Sequence, residues 1–275
     1  MTQNIPLEDT VADVVSKAMR GLGISDACLA EKCALITPDI VSLRTGHWNE
    51  SVAKAVAPFL KLDPEALVSL AESRSAPPNI SVSNLESYPT PFGDMIVNSY
   101  LAWDPVSKQA VAFDTGADCS DLLAFLDKTK VQLKSLFLTH THGDHVFEMD
   151  RIREKTGASI FVNEREPIEG ATPFAAGHSW QVGALGIESR LTWGHSKGGT
   201  TYVLTGLQVP VAIVGDALFA CSMGGGMVSY PDALHTNREQ IFTLPPATVL
   251  CPGHGPLTTV EWELTHNPFF GPATR

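Results

Sequence analysis

Four metal-coordinating side chains are crowded into six consecutive positions in the middle of the chain. They are His140, His142, Asp144 and His145, in the stretch FLTHTHGDHV at the end of an apolar run. The two-residue spacing of His140 and His142 lets both imidazoles point the same way from extended backbone, where they can bind one cation. Gly143 permits a tight turn, after which Asp144 and His145 open a predicted helix and face a second position. The stretch therefore predicts a metal site.

Three further candidate ligands occur downstream, each just after a separate β-type run. They are His195 in LTWGHSKGG, Asp216 in VAIVGDALF and His254 in TVLCPGHGP. A glycine directly precedes each of them, and a residue without Cβ lets backbone approach a crowded site. Because binding sites in α/β sheets gather where strands end, we expect all of these residues to share one location.

The donor set of these residues favours two divalent metal ions. Five neutral imidazoles and two carboxylates carry a charge of −2, so two divalent ions leave the centre slightly positive even with a bridging hydroxide. Such a centre attracts a carbonyl or anionic oxygen and lowers the pKa of bound water to about 7. Nitrogen and oxygen ligands suit zinc, although iron and manganese also accept them.

The elements that must position these groups differ between the two ends of the chain. Residues 1–75 carry apolar side chains at helical spacing, as in VADVVSKAM, SVAKAVAPFL and PEALVSLAES, and predict a compact set of four or five helices. The stretch SRSAPPN then has the proline and polar residues of a linker. Residues 80–275 alternate β-type runs, among them ISVSNL, AVAFD and LKSLFLT, with helical stretches such as VFEMDRIREKTG. This second region is predicted to be a mixed α/β domain.

The bulk composition excludes some classes of partner. The formal net charge is −11 and the isoelectric point is about 5.2, which disfavours nucleic acid because phosphate binding needs a basic surface. No apolar run approaches the length of a membrane span, and the N-terminus lacks the pattern of a secretory signal. Five scattered cysteines without a CxxC pair suit free thiols in a reducing compartment. We therefore expect a cytoplasmic protein with no membrane partner.

The motif THTHGDHV resembles the HxHxDH signature of the metallo-β-lactamase fold hydrolases. The downstream histidines and aspartate fall where that family has its remaining ligands, and VAFDTGAD resembles its early strand–turn motif, in which Asp114 has a structural role. The match covers about residues 80 to 270. The resemblance implies an αββα sandwich, preceded here by the small all-helical region. It also implies that His140, His142 and His195 hold one metal, that Asp144, His145 and His254 hold the other, and that Asp216 bridges them.

The activity implied by the resemblance is hydrolysis of an acyl bond. A metal-bridging hydroxide would attack a carbonyl that the second metal polarises, with Asp216 as the bridging catalytic carboxylate and Asp144 also taking part in proton transfer. The ligand set and GDALF look most like glyoxalase II, the hydroxyacylglutathione hydrolases. The chain ends at Arg275, before the helical extension that binds glutathione in typical members, and Phe147 and Glu148 replace the usual two glycines. The expected substrate is a small-molecule thioester or related acyl compound, with glutathione recognition left open.

Other branches of the same fold are alternatives. Lactonases that open acyl-homoserine lactones place a tyrosine three residues after the bridging aspartate, where this chain has Phe219. Persulfide dioxygenases use one iron in a similar framework, so the ligand list does not separate them from a zinc hydrolase. A β-lactamase would be unexpected in a chain without a signal peptide, and the RNA-cutting branch fits the acidic charge poorly.

Two further segments are candidates for substrate contact. The stretch 220–240 follows the predicted bridging carboxylate, and Met223, Met227 and Tyr230 would offer apolar contacts on a glycine-rich, mobile loop. The alternative for this stretch is an ordinary surface loop. Lys197 would pair with a substrate carboxylate, whereas a solvated lysine is the more common case.

The N-terminal helical region resembles repressor-type helix-turn-helix domains, including their SxxxLA start and LDPEAL ending. By this resemblance residues 37–45 would be the recognition helix, but they offer Arg44 as the single base, and Asp39 opposes phosphate. We therefore expect no DNA binding. The helices are expected to pack on the catalytic domain, to shape its entrance or to form a homodimer. A metal-sensing or DNA-binding regulator is the alternative.

Overall fold

The computed structural model describes residues 5–72 and 76–274, and the first of these two ranges folds into five helices. Each helix except the third begins at a polar residue whose side chain accepts a hydrogen bond from the backbone of the first turn, which satisfies a free N–H group. At the first helix, Thr10 and Asp13 bond each other reciprocally in a capping box. The helices are α1 (Val11–Leu22), α2 (Asp26–Cys33), α3 (Thr37–Arg44), α4 (Glu50–Val56) and α5 (Pro64–Ala71).

The second range contains two six-stranded sheets, in each of which every strand pairs with the next along the chain. Strands β3 to β6 run parallel, as do β10 and β11, and the other neighbours are antiparallel. The first sheet consists of β1 (Leu85–Phe92), β2 (Met95–Trp103), β3 (Gln109–Phe113), β4 (Gln132–Phe137), β5 (Ser159–Asn163) and β6 (Thr172–Phe174). The second consists of β7 (Ser179–Val182), β8 (Leu185–Leu191), β9 (Thr200–Thr205), β10 (Val211–Gly215), β11 (Val249–Pro252) and β12 (Thr258–Thr259).

Five more helices connect or flank these strands. A π-helical turn at Asn237–Ile241 continues the fourth of them, and a 3-10 turn at Pro272–Thr274 follows the last. Over the two described ranges, no helix is both long and apolar enough to cross a bilayer. The helices are α6 (Ser120–Thr129), α7 (Gly143–Val146), α8 (Met149–Thr156), α9 (Tyr230–Thr236) and α10 (Val260–His266).

The elements stack in layers, as three hydrophobic clusters show. Phe113 and Tyr202 belong to the cluster between the two sheets, where their rings lie 5.4 Å apart. On the outer face of the first sheet, Leu122 of α6 and Ile152 of α8 belong to a second cluster. A third cluster covers the outer face of the second sheet with helices. This arrangement is the predicted αββα sandwich, and the prediction of the fold class is confirmed.

The N-terminal helices share this third cluster with the second sheet. Val14 of α1 and Leu67 of α5 are fully buried in it together with Leu250 of β11. The backbone N–H of Asp63 also donates to the carbonyl of Pro268, at 2.7 Å. The helices therefore pack on the sandwich, as expected. The division into domains at residues 75 and 80 stays a prediction.

One strand prediction is wrong. Residues 80–84 of the run ISVSNL lie outside the strands, and β1 occupies residues 85–92 instead. Pro89 and Pro91 hide β1 in the sequence because proline cannot donate to a ladder. The strand tolerates both because it lies at the edge of its sheet and pairs with β2 alone.

The helix predicted to run from Asp144 through residues 146–157 is interrupted. The structure divides it into α7 and α8, with a break at Phe147 and Glu148. The carbonyl of His145 accepts a hydrogen bond from the N–H of Thr115 at 2.9 Å, and the N–H of Glu148 donates to the Thr115 hydroxyl at 3.1 Å. The helix breaks because these backbone groups bond to the loop after β3.

Candidate metal centre

The seven candidate ligands come from the ends of four strands and from α7. Two follow β4, two lie in α7, and the others follow β8, β10 and β11. The two sheets are tied together at this edge by Asn98 of β2, whose N–H donates to the Gly253 carbonyl at 2.7 Å. The Asn98 side chain also donates to the Pro252 carbonyl at 3.1 Å. The first sheet therefore fixes the loop of the second sheet that carries His254.

The first cluster of donor atoms surrounds His142. Its Nδ1 lies 3.0 Å from Nε2 of His140 and 3.1 Å from Nε2 of His195. His140 is buried, His195 is half-buried and His142 is exposed. Three imidazole nitrogens therefore converge on one point, and that point opens to solvent on the side of His142.

The second cluster of donor atoms surrounds Asp144. Its Oδ2 lies 3.3 Å from Nε2 of His254 and 3.4 Å from Nε2 of His145. All three side chains are buried. This cluster is the more enclosed of the two.

Asp216 lies between the clusters. Its Oδ2 is 3.4 Å from Nε2 of His195 in the first cluster and 3.5 Å from Nε2 of His254 in the second. Its Oδ1 is 3.3 Å from Nε2 of His145. The structure thus brings all seven predicted residues together and places this carboxylate where a shared ligand would lie.

The residues fit divalent ions in chemistry and spacing. Two nitrogen or oxygen ligands about 2.1 Å from a tetrahedral zinc ion lie about 3.4 Å apart; the donor atoms are 3.3 and 3.4 Å apart around Asp144 and slightly closer, 3.0 and 3.1 Å, around His142. His145 Nε2 and Asp216 Oδ1 are fully buried and have no hydrogen-bond partner. Buried polar atoms without a partner are costly, and a cation between them would satisfy both.

A polar network behind the centre orients two of the histidines. Asp114 accepts hydrogen bonds from Thr139 Oγ1 and from His145 Nδ1, both at 2.8 Å. Because the Thr139 hydroxyl donates to Asp114, it accepts from His140 Nδ1, at 3.0 Å. Both imidazoles therefore keep a proton on Nδ1 and turn Nε2 towards the centre.

Backbone carbonyls orient two more histidines in the same way. His195 Nδ1 donates to the carbonyl of Gly225 at 3.0 Å, and His254 Nδ1 donates to the carbonyl of Ile96 at 2.8 Å. Each bond leaves Nε2 as the coordinating atom. His142 differs, because its Nδ1 is the atom that faces the first cluster.

Burial keeps two histidines of the first cluster neutral. Desolvation, reinforced by the neighbouring imidazoles, holds the pKa of His140 well below its usual value. Desolvation also lowers the pKa of His195. A neutral imidazole offers the lone pair that a metal needs.

The second cluster has the opposite electrostatics. Burial opposes protonation of His145, but the carboxylates of Asp216 and Asp114 outweigh it and hold its pKa well above the usual value. At His254 burial is likewise outweighed by Asp144 and Asp216, which raise its pKa to about 10. The same carboxylates attract a divalent ion, which must displace these protons when it binds.

Two glycines let backbone approach the centre closely. A Cβ on Gly253 would overlap Asp216 Oδ1 and the ring of His145. A Cβ on Gly224 would overlap the carbonyl oxygen of Asp216 and touch His195. Gly253 therefore has the role predicted for a glycine before a ligand, whereas no sequence pattern indicated the same role for Gly224.

The other predicted contact residues have different fates. Met223 and Tyr230 are buried in the cluster shared with the N-terminal helices, so their burial does not support a role in substrate contact. Met227 is 70% exposed and stays a candidate. Lys197 is exposed, and its backbone N–H donates to Glu166 at 2.6 Å.

Phe219 and Phe147 are the two positions at which the sequence departs from the patterns of related enzymes. Phe219 is buried, and its ring meets His254 edge to face at 5.6 Å. Phe147, which replaces one of the usual glycines, is 63% exposed and contacts the ring of Phe92 at 5.9 Å. Phe219 is therefore a wall of the second cluster, and Phe147 is a surface group two residues beyond His145.

The basic residue of the predicted recognition helix is engaged within the protein. The Arg44 guanidinium pairs with Asp26 at 2.7 Å and donates to the Ser16 hydroxyl at 3.3 Å. A phosphate would have to compete with both partners for this side chain. The expectation that the helices do not bind DNA stays a prediction.

Sequence reasoning missed the groups that orient His195 and His254. Both are backbone carbonyls, at Gly225 and Ile96. Every residue has a carbonyl, so nothing in the sequence could single these out. The Thr139 hydroxyl carried a signal, because a hydroxyl directly before a candidate ligand can reach that ligand's ring.

Comparison with known proteins places the chain among metallo-hydrolases. The model of the metallo-beta-lactamase superfamily matches residues 92–254. A probable metallo-hydrolase of Streptococcus pyogenes is 28% identical over 194 residues, which cover 60% of this chain and 83% of that protein. A hydroxyacylglutathione hydrolase of Pseudomonas entomophila is 29% identical over 160 residues, covering 56% of this chain and 60% of that protein.

Two further similarities concern an oxidative enzyme and a solved structure. The mitochondrial persulfide dioxygenase ETHE1 of Mus musculus is 30% identical over 182 residues, covering 62% of this chain and 70% of that enzyme. The crystal structure of the B3 metallo-beta-lactamase BLEG-1 matches with a TM-score of 0.58 and 27% identity, covering 67% of this chain and 99% of that chain. The fold, the two donor clusters and the matched family model agree, and the chain belongs to the metallo-β-lactamase superfamily.

Proposed function

We propose that this protein is a hydrolase of thioesters or related acyl compounds that works with two divalent metal ions, preferably zinc. The observation that carries the proposal is the position of Asp216, whose carboxylate lies within 3.5 Å of donor atoms from both clusters. A carboxylate so placed suits two adjacent ions better than one. Nitrogen and oxygen donors are those that zinc accepts, and iron or manganese would also be held.

The residues of the chain divide the work of the proposed centre. His140, His142 and His195 hold one ion, and Asp144, His145 and His254 hold the other. Asp216 keeps the two positions at a fixed separation. When bound, the ions would supply a Lewis acid for the acyl oxygen and lower the pKa of water. Asp144 takes part in proton transfer next to the scissile bond.

The open side of the centre supports access by a small substrate. His142 is exposed, while the ligands of the second cluster are buried. A substrate would therefore approach from the side of the first cluster. The similarity to a hydroxyacylglutathione hydrolase supports a thioester as the scissile bond, because a thiolate leaves with little help from an acid.

The alternative activity is that of a mononuclear-iron persulfide dioxygenase. The 30% identity to the persulfide dioxygenase ETHE1 favours this alternative. The same ligand residues would then hold a single iron. The two activities differ in metal content and in their need for oxygen. They can therefore be separated in one preparation.

The decisive experiment measures bound metal and turnover together. We expect two zinc ions per chain and release of thiol from acyl thioesters faster than opening of lactones or β-lactams. Replacing His142→Ala should lower the metal content, whereas His47→Ala, which removes an exposed histidine of the helical region, should leave it unchanged. One iron per chain with oxygen consumption on a persulfide would contradict the proposal, as would a preference for lactones or β-lactams.

The surroundings of the enzyme are part of the same proposal. We propose a cytoplasmic protein that does not act on nucleic acid and that forms a homodimer through its N-terminal helices. The partnered state of Arg44 supports the second statement. Sedimentation of the purified protein tests the third.

A further inference from the structure

Lys17 of α1 is a half-buried cation at the contact between the N-terminal helices and the sandwich. Its side chain is 14% exposed and forms an ion pair with Asp9. Its ammonium donates to the carbonyl of Met223 at 2.9 Å and lies 4.9 Å from the centre of the Phe219 ring. Lysine side chains are mostly exposed, whereas this one is largely covered and its partners come from two separate parts of the chain.

Apart from Asp9, its partners lie on one short segment of the sandwich, residues 219–225, which follows the proposed bridging carboxylate and is named the 219–225 loop. Asp9 accepts a hydrogen bond from the Ser222 hydroxyl as well as from Lys17. The carbonyl of Ser222 accepts from the Asn267 side chain at 2.8 Å. The segment before α1 and α1 itself therefore hold the 219–225 loop through one network of charged hydrogen bonds.

The same loop touches one ligand of each metal cluster. The Gly225 carbonyl at its end accepts the proton of His195 Nδ1 at 3.0 Å. The Phe219 ring at its start meets His254 edge to face at 5.6 Å. Lys17 is thus linked to His195 through Met223 and, two residues further along the loop, Gly225, and to His254 through Phe219 alone.

We propose that Lys17 and Asp9 are positioning residues of the metal centre, which makes the N-terminal helices part of the catalytic unit. By holding the 219–225 loop, the pair keeps the Gly225 carbonyl under His195 and the Phe219 ring against His254. The proposal rests on the proposed two-metal function. It assigns the helical region a role at the metal centre, in addition to the proposed dimer contact.

The ammonium of Lys17 orients its partners, which an apolar side chain could not do. Val14 and Ala18 of α1 and Met223 of the loop belong to an apolar cluster, which an apolar side chain at position 17 would extend. An ammonium adds hydrogen bonds to a carboxylate and a carbonyl, and these fix the orientation of the groups that they join. Residues that orient ligands from behind typically change metal affinity by about tenfold to a hundredfold when they are replaced.

The test compares zinc affinity and the visible spectrum of the cobalt-substituted protein among variants of the full chain. Lys17→Met should lower zinc affinity by about tenfold and shift the cobalt absorption bands, and Lys17→Arg should restore both in part. Lys54→Met, which removes an exposed lysine paired with Glu50 and Glu65, should change neither. If the single variant does not fold, the double variant Asp9→Asn/Lys17→Met replaces it, because it leaves no unpaired charge at this contact. It should show the same loss of zinc affinity.

The outcomes separate this inference from the proposed function. If the native protein binds fewer than two ions, the proposed function fails first. If the native protein binds two ions and the Lys17 variants lower the melting temperature but keep zinc affinity and the cobalt spectrum, the pair has only a structural role and the inference is overturned.

Discussion

Replacing Asp114→Asn should weaken metal binding at the second cluster while leaving the fold intact. Asp114 is itself no candidate ligand, but its two oxygens accept hydrogen bonds from three donors: the N–H of Thr139 at 2.7 Å, the hydroxyl of Thr139 at 2.8 Å and Nδ1 of His145 at 2.8 Å. Its φ of 53° lies in the left-handed region, where asparagine is tolerated better than most residues. Asparagine is therefore the conservative choice.

The expected loss of metal affinity follows from the hydrogen bonds that Asp114 accepts. The side chain of asparagine has one oxygen and one NH2 group. In either orientation of the side-chain amide, the NH2 group faces a hydrogen-bond donor. If that amide faces His145, the imidazole proton moves to Nε2, the atom that the metal needs. If it faces the N–H of Thr139, two donors are buried against each other, at a cost of about 1–3 kcal/mol. Either way we expect a loss of roughly tenfold to a hundredfold in metal affinity.

The assay is competition with a chromophoric chelator, read as two successive zinc affinities. The affinity of the second cluster should fall more than that of the first, because Asp114 contacts His145 directly and reaches His140 only through the Thr139 hydroxyl. Asp150→Asn, which removes an exposed carboxylate paired with Arg153 on α8, serves as the control. In a His145→Ala background the same Asp114 replacement should have almost no further effect. Two unchanged affinities in the folded single variant would refute the argument.

Three other predictions concern the bridge, the close approach of backbone and a buried acid. Asp216→Ala should remove the shared ligand and most turnover while the helical region stays folded, which metal analysis and circular dichroism can check; full turnover with bound metal would exclude Asp216 as the bridge. Gly253→Ala should reduce metal content in a folded protein, since the added Cβ overlaps Asp216 and His145. Native metal affinity in this variant would contradict the prediction, because it would show that the backbone at Gly253 can shift to make room. Burial raises the pKa of Glu263 to about 7, so the folded state binds a proton that the unfolded state releases near pH 4.5. Its contribution to the free energy of unfolding should fall by about 3 kcal/mol between pH 4.5 and pH 7, and Glu263→Gln should lack that fall in chemical denaturation.

The local patterns of the sequence predicted much of the fold. The helical spacing of the first 70 or so residues and the short β-type runs after them correspond to α1–α5 and to most of the strands. Two of the exceptions have a common cause. The prolines of β1 are acceptable only because that strand is at an edge, and the break between α7 and α8 depends on Thr115, about 30 residues away. Neither fact is visible within a local window.

The candidate ligands were predictable because their chemistry is in their side chains. Histidine and aspartate side chains can bind a metal in any fold that brings them together, and the structure brings these seven together. The roles of Met223 and Tyr230 were not predictable in this way. An apolar side chain serves a pocket or a core equally well, and the packing of α1 against the loop decides which.

The sequence by itself determined which donor groups are available and that they meet at strand ends, because both depend on residue type and short spacing. The tertiary structure alone decided how those groups are oriented and charged. Carbonyls of Gly225 and Ile96 select the coordinating nitrogens of His195 and His254, and burial shifts the pKa of His140. These effects arise from contacts between residues far apart in the chain, which no local pattern records.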